Sequence, residues 1–368
     1  MFQNVVGQNR VKDFFTRVIR EDRLSHAYIF SGMLGVGKSA VAFELAKILN
    51  CPNNNCGVCP DCIQVSKLQH QNLHLVYPLP SVSSKNRDDH PLKGLSERDI
   101  EQIKEEISAK AKNPYHRIVI TKAREILTQS IRHLSSEVSF SISKHNYNFV
   151  IIFQADTMNE HSANAFLKLL EEPPQKTIFI LLTDLPKNLL TTILSRCQLI
   201  RFDLLSEAEI VESLVSQGYT KEESEKVALI SNGSLKNALE NLNINLTEKF
   251  DLALNFLRVV AICDPQKVIS LAKTLSKSER SELINLLRLM MSWFTDCLIL
   301  KGELTERKLV FEPYKENLEK FIERYKFANL QKAVELLEKA IDSINRNVYI
   351  NLLLTDLMIQ LNKTIIAR

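Results

Sequence analysis

Gly32-Met33-Leu34-Gly35-Val36-Gly37-Lys38-Ser39 carries the full spacing G-x-x-x-x-G-K-[ST]. The run before it, Ala27-Tyr28-Ile29-Phe30, reads as a strand, and the run after it, Ala40 to Leu49, reads as a helix. Strand, glycine loop and helix together are the context in which this spacing cradles phosphate. Glycines let backbone N–H groups turn toward phosphate oxygens, and the helix N-terminus adds its positive dipole. On this reading Gly32, Gly35 and Gly37 shape the loop, Lys38 reaches the β- and γ-phosphates of ATP (or ADP), and Ser39 holds Mg²⁺. A glycine-rich turn with a surface lysine is the plain alternative. The loop marks where a nucleotide sits and does not by itself imply hydrolysis.

Outward from the loop, short apolar runs recur. Arg117-Ile118-Val119-Ile120, Asn148 to Phe153, Thr177 to Leu182 and Leu199-Ile200-Arg201-Phe202 all have strand character. Helical segments separate them, among them Ile126–Ser136 and Ser162–Leu170. Continuous apolar strands alternating with helices predict a buried parallel sheet covered on both faces, an α/β P-loop domain. After Phe202 the strand signal stops. Ser206 with Glu209 and Thr220 with Glu223 form capping boxes, and Gly233-Ser234 opens a third short helix, predicting a three-helix lid over 205–242. From 243 to 368 the chain reads as long helices; Ala333, Leu336, Leu337, Ala340, Ile341, Ile344 and Val348 keep a 3.6-residue period. The α/β domain is therefore expected over 1–204, with a polar insertion at about 80–113 whose lysines, from Lys104 to Lys112, alternate in sign with acids and read as a solvated face.

The 368 residues exceed what one core supports, and 45% hydrophobic with 24% charged residues is ordinary for a globular chain. A net charge of +4 permits contact with nucleic acid without arguing for it. No stretch reads as long and apolar enough to span a bilayer, so no membrane partner is expected. The N-terminus lacks the regions of a signal peptide, and a cytoplasmic location is expected. There, seven cysteines argue against a disulfide framework.

Four of those cysteines, Cys51-x₄-Cys56-x₂-Cys59-x₂-Cys62, lie directly after the phosphate-loop helix. Thiolates so spaced can wrap one structural Zn²⁺ in a tetrahedron that leaves no position open for catalysis. An iron–sulfur site and four reduced, unligated thiols are the alternatives. Hydrolysis has its own requirement. A strand of the P-loop sheet should end in Asp for Mg²⁺, often followed by a residue that orients water. Here the third apolar run ends in Phe153-Gln154, and Asp156 comes three residues late, where capping the next helix is its expected role. Phenylalanine can neither ligate a metal nor accept a proton, so weak or absent hydrolysis by this chain alone is predicted. Ser141-Ile142-Ser143-Lys144 fits S-x-x-K, but no companion motif supports it.

Ser162-Ala163-Asn164-Ala165-Phe166-Leu167-Lys168-Leu169-Leu170-Glu171-Glu172-Pro173-Pro174 and Leu194-Ser195-Arg196-Cys197-Gln198 resemble the A-N-A-L-L-K-x-L-E-E-P-P and S-R-C signatures of bacterial DNA polymerase III clamp-loader subunits. With Val6-Gly7-Gln8, the phosphate loop, the four-cysteine module and the helical C-terminal part, the chain resembles the delta-prime-type AAA+ subunits of that family. The gamma/tau-type ATPases are second. The resemblance implies an assembly with gamma/tau and delta subunits that places a sliding clamp on primed DNA, with residues 243–368 as an oligomerisation collar. It implies that Arg196 acts as an arginine finger in a neighbour's ATP site, and that Thr183 stands at a sensor position. Lys236 stands where the ATPase members carry an arginine. A missing acid beside a retained S-R-C arginine implies a subunit that activates its neighbour. The rivals are an independent ATPase using Asp156 and a nucleotide-dependent binding module for other DNA-processing partners.

Overall fold

Four of the five apolar runs enter one sheet. In the computed structural model, which describes residues 1–81, 90–140, 147–242, 246–278, 280–304, 309–345 and 348–366, β1 (Ala27–Ser31), β2 (Leu73–Val76), β3 (Asn148–Ile152), β4 (Thr177–Thr183) and β5 (Gln198–Arg201) lie in the order β2-β3-β4-β1-β5. Every pairing is parallel. The central strands β1, β3 and β4 are buried along their whole length, which explains their unbroken apolar composition. The helical spacing over Ser162–Leu170 produces one buried face: Ala163, Phe166, Leu169 and Leu170 pack with Phe179 and Leu181 of β4.

The run 117–120 is a correction. It is not a strand, because side chains take its backbone groups. Glu106 accepts from the Val119 N–H at 2.8 Å, and Gln154 Nε2 donates to the Ile118 carbonyl at 3.0 Å. The remaining strand of the sheet is Leu73-His74-Leu75-Val76, paired to β3 with Leu73 opposite Phe149. The S-x-x-K stretch at 141–144 lies outside the described residues.

The helices of the first part are α1 (Asn9–Arg20), α2 (Lys38–Asn50), α3 (Pro60–Ser66), α4 (Glu97–Lys112), α5 (Thr128–Phe140), α6 (Glu160–Glu171), α7 (Thr191–Leu194) and α8 (Glu207–Ser216). Then follow α9 (Lys221–Ile230), α10 (Leu235–Leu242), α11 (Leu246–Ile262), α12 (Pro265–Leu275), α13 (Arg280–Leu300), α14 (Lys315–Arg324), α15 (Leu330–Asn345) and α16 (Ile350–Ile366). Both capping boxes form: Ser206 opens α8 with Glu209, and Thr220 opens α9 with Glu223. The expected α/β P-loop layering, followed by an all-helical part, is therefore what the chain adopts.

The chain divides into two compact units, Met1–Gly218 with Gly233–Asn237, and Tyr219–Asn232 with Ala238–Arg368. Of the three short helices over 205–242, α8 falls in the first unit and α9 in the second. The second unit has its own core, in which Leu287, Met290, Phe294 and Cys297 of α13 meet Leu337 of α15 and Met358 of α16. The reading that no stretch could span a bilayer is corrected on length: Glu282–Leu300 is long and apolar enough, with a mean hydropathy of 1.5. Two thirds of that stretch is buried, because it is the central helix of this core.

Candidate functional site

The phosphate loop leaves the C-terminal end of β1 and hands over to α2 at Lys38. Gly35 and Gly37 have φ of 83° and 106°, a region that side chains avoid. A Cβ at Gly35 would also collide with Ser234 Oγ and come within 2.7 Å of Lys236 Cβ, so that turn requires glycine twice over. Gly35, Gly37, Lys38, Ser39 and Thr183 line one cleft, and Gly32 borders it through its carbonyl. The structure thus brings together the loop residues and the expected sensor. Arg196 and the cysteines lie elsewhere.

Lys38 is buried, and its ammonium donates to the carbonyls of Gly32 and Met33 (2.9 Å to Met33) and to Asp184 Oδ1 at 2.6 Å. Asp184 follows the last residue of β4, and a lone Asp after a strand carries no sequence signal of pairing with a lysine 146 positions away. Thr183 donates its hydroxyl to Asp156 Oδ1 at 2.6 Å and accepts from the Leu185 N–H at 2.9 Å. Asp156 therefore does not cap the next helix. It sits in a 3₁₀ turn, and Asn159 caps α6 by accepting from the Ser162 N–H at 2.9 Å. Burial raises the Asp156 carboxyl above its ordinary range, opposed by the hydrogen bond from Thr183.

Phe153 ends the β3 run as a buried ring, 6.4 Å from the Phe43 ring. Gln154 adopts a left-handed conformation and spends its amide on Ile118 and Arg117. The hydroxyl of Ser39 receives a hydrogen bond at 2.9 Å from Lys110 Nζ. The residues at this cleft therefore do not fit a conventional Mg²⁺ site. The acid is a phenylalanine, Asp184 and Asp156 are engaged, and an ammonium already faces the serine oxygen. A phosphate chain asks for the loop N–H groups, the dipole of α2 and Lys38, whose ammonium would exchange its two carbonyl partners for phosphate oxygens while keeping Asp184. Lys110 also corrects the expected solvated face: Lys104 is exposed, but Lys110 is 3% exposed and enters the cleft.

The four cysteine sulfurs lie within 4.8 Å of one another. Cys51 to Cys56 is 3.6 Å and Cys51 to Cys59 is 3.7 Å. A tetrahedron of thiolates at the Zn–S bond length of about 2.3 Å has edges of roughly 3.8 Å, so one ion fits the set. A cluster with several irons between the thiolates would spread the sulfurs further. Backbone N–H groups of Asn53 and Cys56 point at Cys51 Sγ, each at 3.4 Å. Burial pushes the Cys51 thiol up, but these N–H groups together with the Cys56 and Cys62 thiols bring it down to about 6, whereas burial pushes Cys62 up to about 12. The module follows α2, whose 13 residues place it about 20 Å along the helix from the phosphate loop, too far to act on a nucleotide. His70, beside it in sequence, bonds Asp61 at 3.1 Å.

Arg196 stands between α7 and β5. Because the strands are parallel and Gln198 pairs with Tyr28 while Arg201 pairs with Ser31, Arg196 precedes the starting edge of the sheet. The phosphate loop leaves the opposite edge, at least about 10 Å away by strand rise. Arg196 cannot reach its own chain's loop. Its Nη2 pairs with Glu171 Oε1 at 2.9 Å and its Nη1 donates to the Thr192 carbonyl at 3.1 Å, while 39% of its side chain stays exposed.

Comparison with known proteins adds lineage to this geometry. Residues 7–206 match the sequence family described as "DNA polymerase III, delta subunit", and residues 248–363 match "DNA polymerase III, delta subunit, C terminal". The chain is similar to DNA polymerase III subunit delta' of Bacillus subtilis, 30% identical over 66% of this chain and 60% of that one. It is also similar to DNA polymerase III subunit tau of Escherichia coli, 28% identical over 65% of this chain and 32% of tau. A gamma subunit from Buchnera aphidicola is 25% identical over 91% and 88% of the two chains. The match thus spans 60% of the Bacillus relative and about a third of tau. Among solved structures, a gamma-subunit-related protein of Thermotoga maritima aligns over 96% of this chain and 98% of its own at 17% identity and a TM-score of 0.37.

Proposed function

Since the chain belongs to the DNA polymerase III delta-subunit family, whose profile covers residues 7–206, we propose that it is a delta-prime-type clamp-loader subunit that lends Arg196 to the ATP site of a neighbour. One observation carries this reading. The acid position of its own cleft is the buried ring of Phe153, whereas its arginine is displayed at the opposite edge of the sheet, where it can serve another chain. Its own loop holds ATP or ADP through the backbone and Lys38 and turns it over weakly or not at all. Its partners are gamma/tau and delta subunits, the sliding clamp and, through the assembly, primed DNA in the cytoplasm, as a component of the polymerase III holoenzyme. Residues 205–242 act as the lid, 243–368 as the oligomerisation collar, and Cys51, Cys56, Cys59 and Cys62 hold a structural Zn²⁺.

An arginine aimed at the γ-phosphate stabilises charge that develops only as the phosphoryl group transfers, so its loss falls on turnover and not on assembly. In a complex reconstituted with a catalytic gamma/tau subunit, Arg196→Ala is expected to lower the DNA-stimulated ATPase rate by about 10³-fold or more at the neighbour's site, the scale of arginine fingers. Assembly, read by size-exclusion chromatography, should be unchanged. An unaltered ATPase rate would defeat the trans role. Vigorous hydrolysis by this chain alone, abolished by Asp156→Ala, would instead establish an independent ATPase.

A further inference from the structure

Lys110 lies in the last turn of the charged helix α4, yet its side chain turns inward. An ammonium has three N–H bonds, and here all three are spent. They reach Ser39 Oγ at 2.9 Å, the Pro114 carbonyl at 2.7 Å and the His116 carbonyl at 2.6 Å. The rings of Phe153 and Phe43 complete the surroundings, with Nζ 5.3 Å and 6.0 Å from their centroids. A cation over an aromatic face is held by the ring quadrupole, a weaker attraction than a carboxylate supplies but one without net charge. The chain wraps this ammonium tightly: Asn113 ends α4, and its Oδ1 accepts from the Tyr115 N–H at 2.9 Å, turning 113–116 back over the lysine.

Two substitutions thus meet at one point. Where a P-loop ATPase sets a divalent cation between the loop Ser/Thr hydroxyl and a strand-end aspartate, this chain sets an ammonium between Ser39 and Phe153. The neutral ring suits a single charge as the aspartate suits a double one. We propose that Lys110 is a built-in replacement for the divalent cation, so that this loop binds the phosphates of a nucleoside di- or triphosphate without Mg²⁺. Lys110 donates to Ser39 Oγ, which leaves the Ser39 O–H to point at a phosphate oxygen, and a bound phosphate draws the Lys110 amine into its charged form behind it. Both acids near the loop, Asp184 and Asp156, are committed to Lys38 and Thr183 instead of to a water, so the bound nucleotide is a structural ligand. Burial, and then the repulsion of Lys38, bring the Lys110 ammonium down to about 7 against the pull of Asp184; an incoming phosphate would oppose that shift and favour the charged form.

The inference rests on the reading of the loop as a nucleotide site, and the test separates the two. ADP and ATP binding to the full chain is measured by isothermal titration calorimetry in buffer freed of divalent ions over a chelating resin, then with Mg²⁺ restored. No soluble chelator is added, so the cysteine site keeps its metal. Wild-type affinity is expected to be nearly the same in both. Lys110→Met, which keeps the length and burial of the side chain, is expected to lose about tenfold or more without Mg²⁺, the scale of one charge-assisted hydrogen bond, and to regain much of it with Mg²⁺. Wild-type binding that demands Mg²⁺ overturns the lysine inference and leaves the nucleotide site standing; this arm needs no variant. Affinities of Lys110→Met equal to wild type in both buffers also overturn it. No binding by the wild type in either buffer removes the nucleotide reading together with the inference.

Discussion

Lys110 shows how far one buried cation can alter a familiar motif. Its ammonium is held below the ordinary lysine range, at about 7, by burial and by Lys38. The unfolded chain would therefore bind a proton on this lysine that the folded chain has released, throughout the interval from about 7 to 10.5. Stability rises with pH wherever the unfolded state holds more protons, so this residue makes the nucleotide-free protein more stable as the pH climbs through that interval. Lys110→Met should flatten the rise. Denaturant titrations of both proteins at pH 6.5, 8 and 9.5 give the difference, in which contributions from the other groups cancel; parallel curves would contradict the assignment. Arg196 presents the opposite case. It is well exposed, and its pair with Glu171 contributes little to stability. The pair orients the guanidinium and leaves it available.

Among the elements, the cysteine module is the one whose formation depends on a ligand. Cys59 caps the short helix α3, its sulfur accepting from the Cys62 N–H, so a thiol of the set also fixes the local backbone. A seven-residue helix has little intrinsic stability, and a bound ion supplies what length does not. Metal analysis of protein purified without added zinc should find about one zinc per chain. Cys62→Ser should lose it, and protease sensitivity should then appear within residues 51–66. A brown, iron-containing preparation would end the zinc assignment. β1, β3 and β4 announced themselves because central parallel strands are apolar throughout, and the edge strand β5 through the apolar pair Leu199-Ile200. β2 did not, since four residues that include His74 make no distinctive pattern. The run 117–120 is as apolar as a strand but has its backbone groups taken by Glu106 and Gln154, residues distant in sequence.

For the whole molecule, the division into two units with separate cores governs how damage spreads. Phe166 is fully buried in the first core and Leu287 in the second. Phe166→Ala should cost about 3–5 kcal/mol and Leu287→Ala about 2–5 kcal/mol, each from lost burial and a residual cavity. Since each substitution falls within one core, calorimetry should show two transitions, of which each variant lowers one and spares the other. A single transition moved equally by both would mean that the chain unfolds as one cooperative body. The same separation explains why the helical part could be recognised as a distinct region from periodicity alone, while the division of the short helices between units could not: α8 and α9 have equally good capping boxes, and membership depends on which core each one joins.

From residue order alone came the phosphate loop, the alternation of buried strands with helices, the four-thiol module and the absence of an acid after β3. Each is a local pattern, because loop geometry, strand burial and ligand spacing are set by neighbours a few positions apart. Tertiary structure decided which charges meet. Lys38 with Asp184, Thr183 with Asp156, Arg196 with Glu171 and Lys110 with Ser39 are all pairs far apart in the chain, and their polarity gave no local sign of the partner. An ammonium costs too much to bury unless acceptors wait for it, and only the folded chain collects the hydroxyl and two carbonyls that receive Lys110.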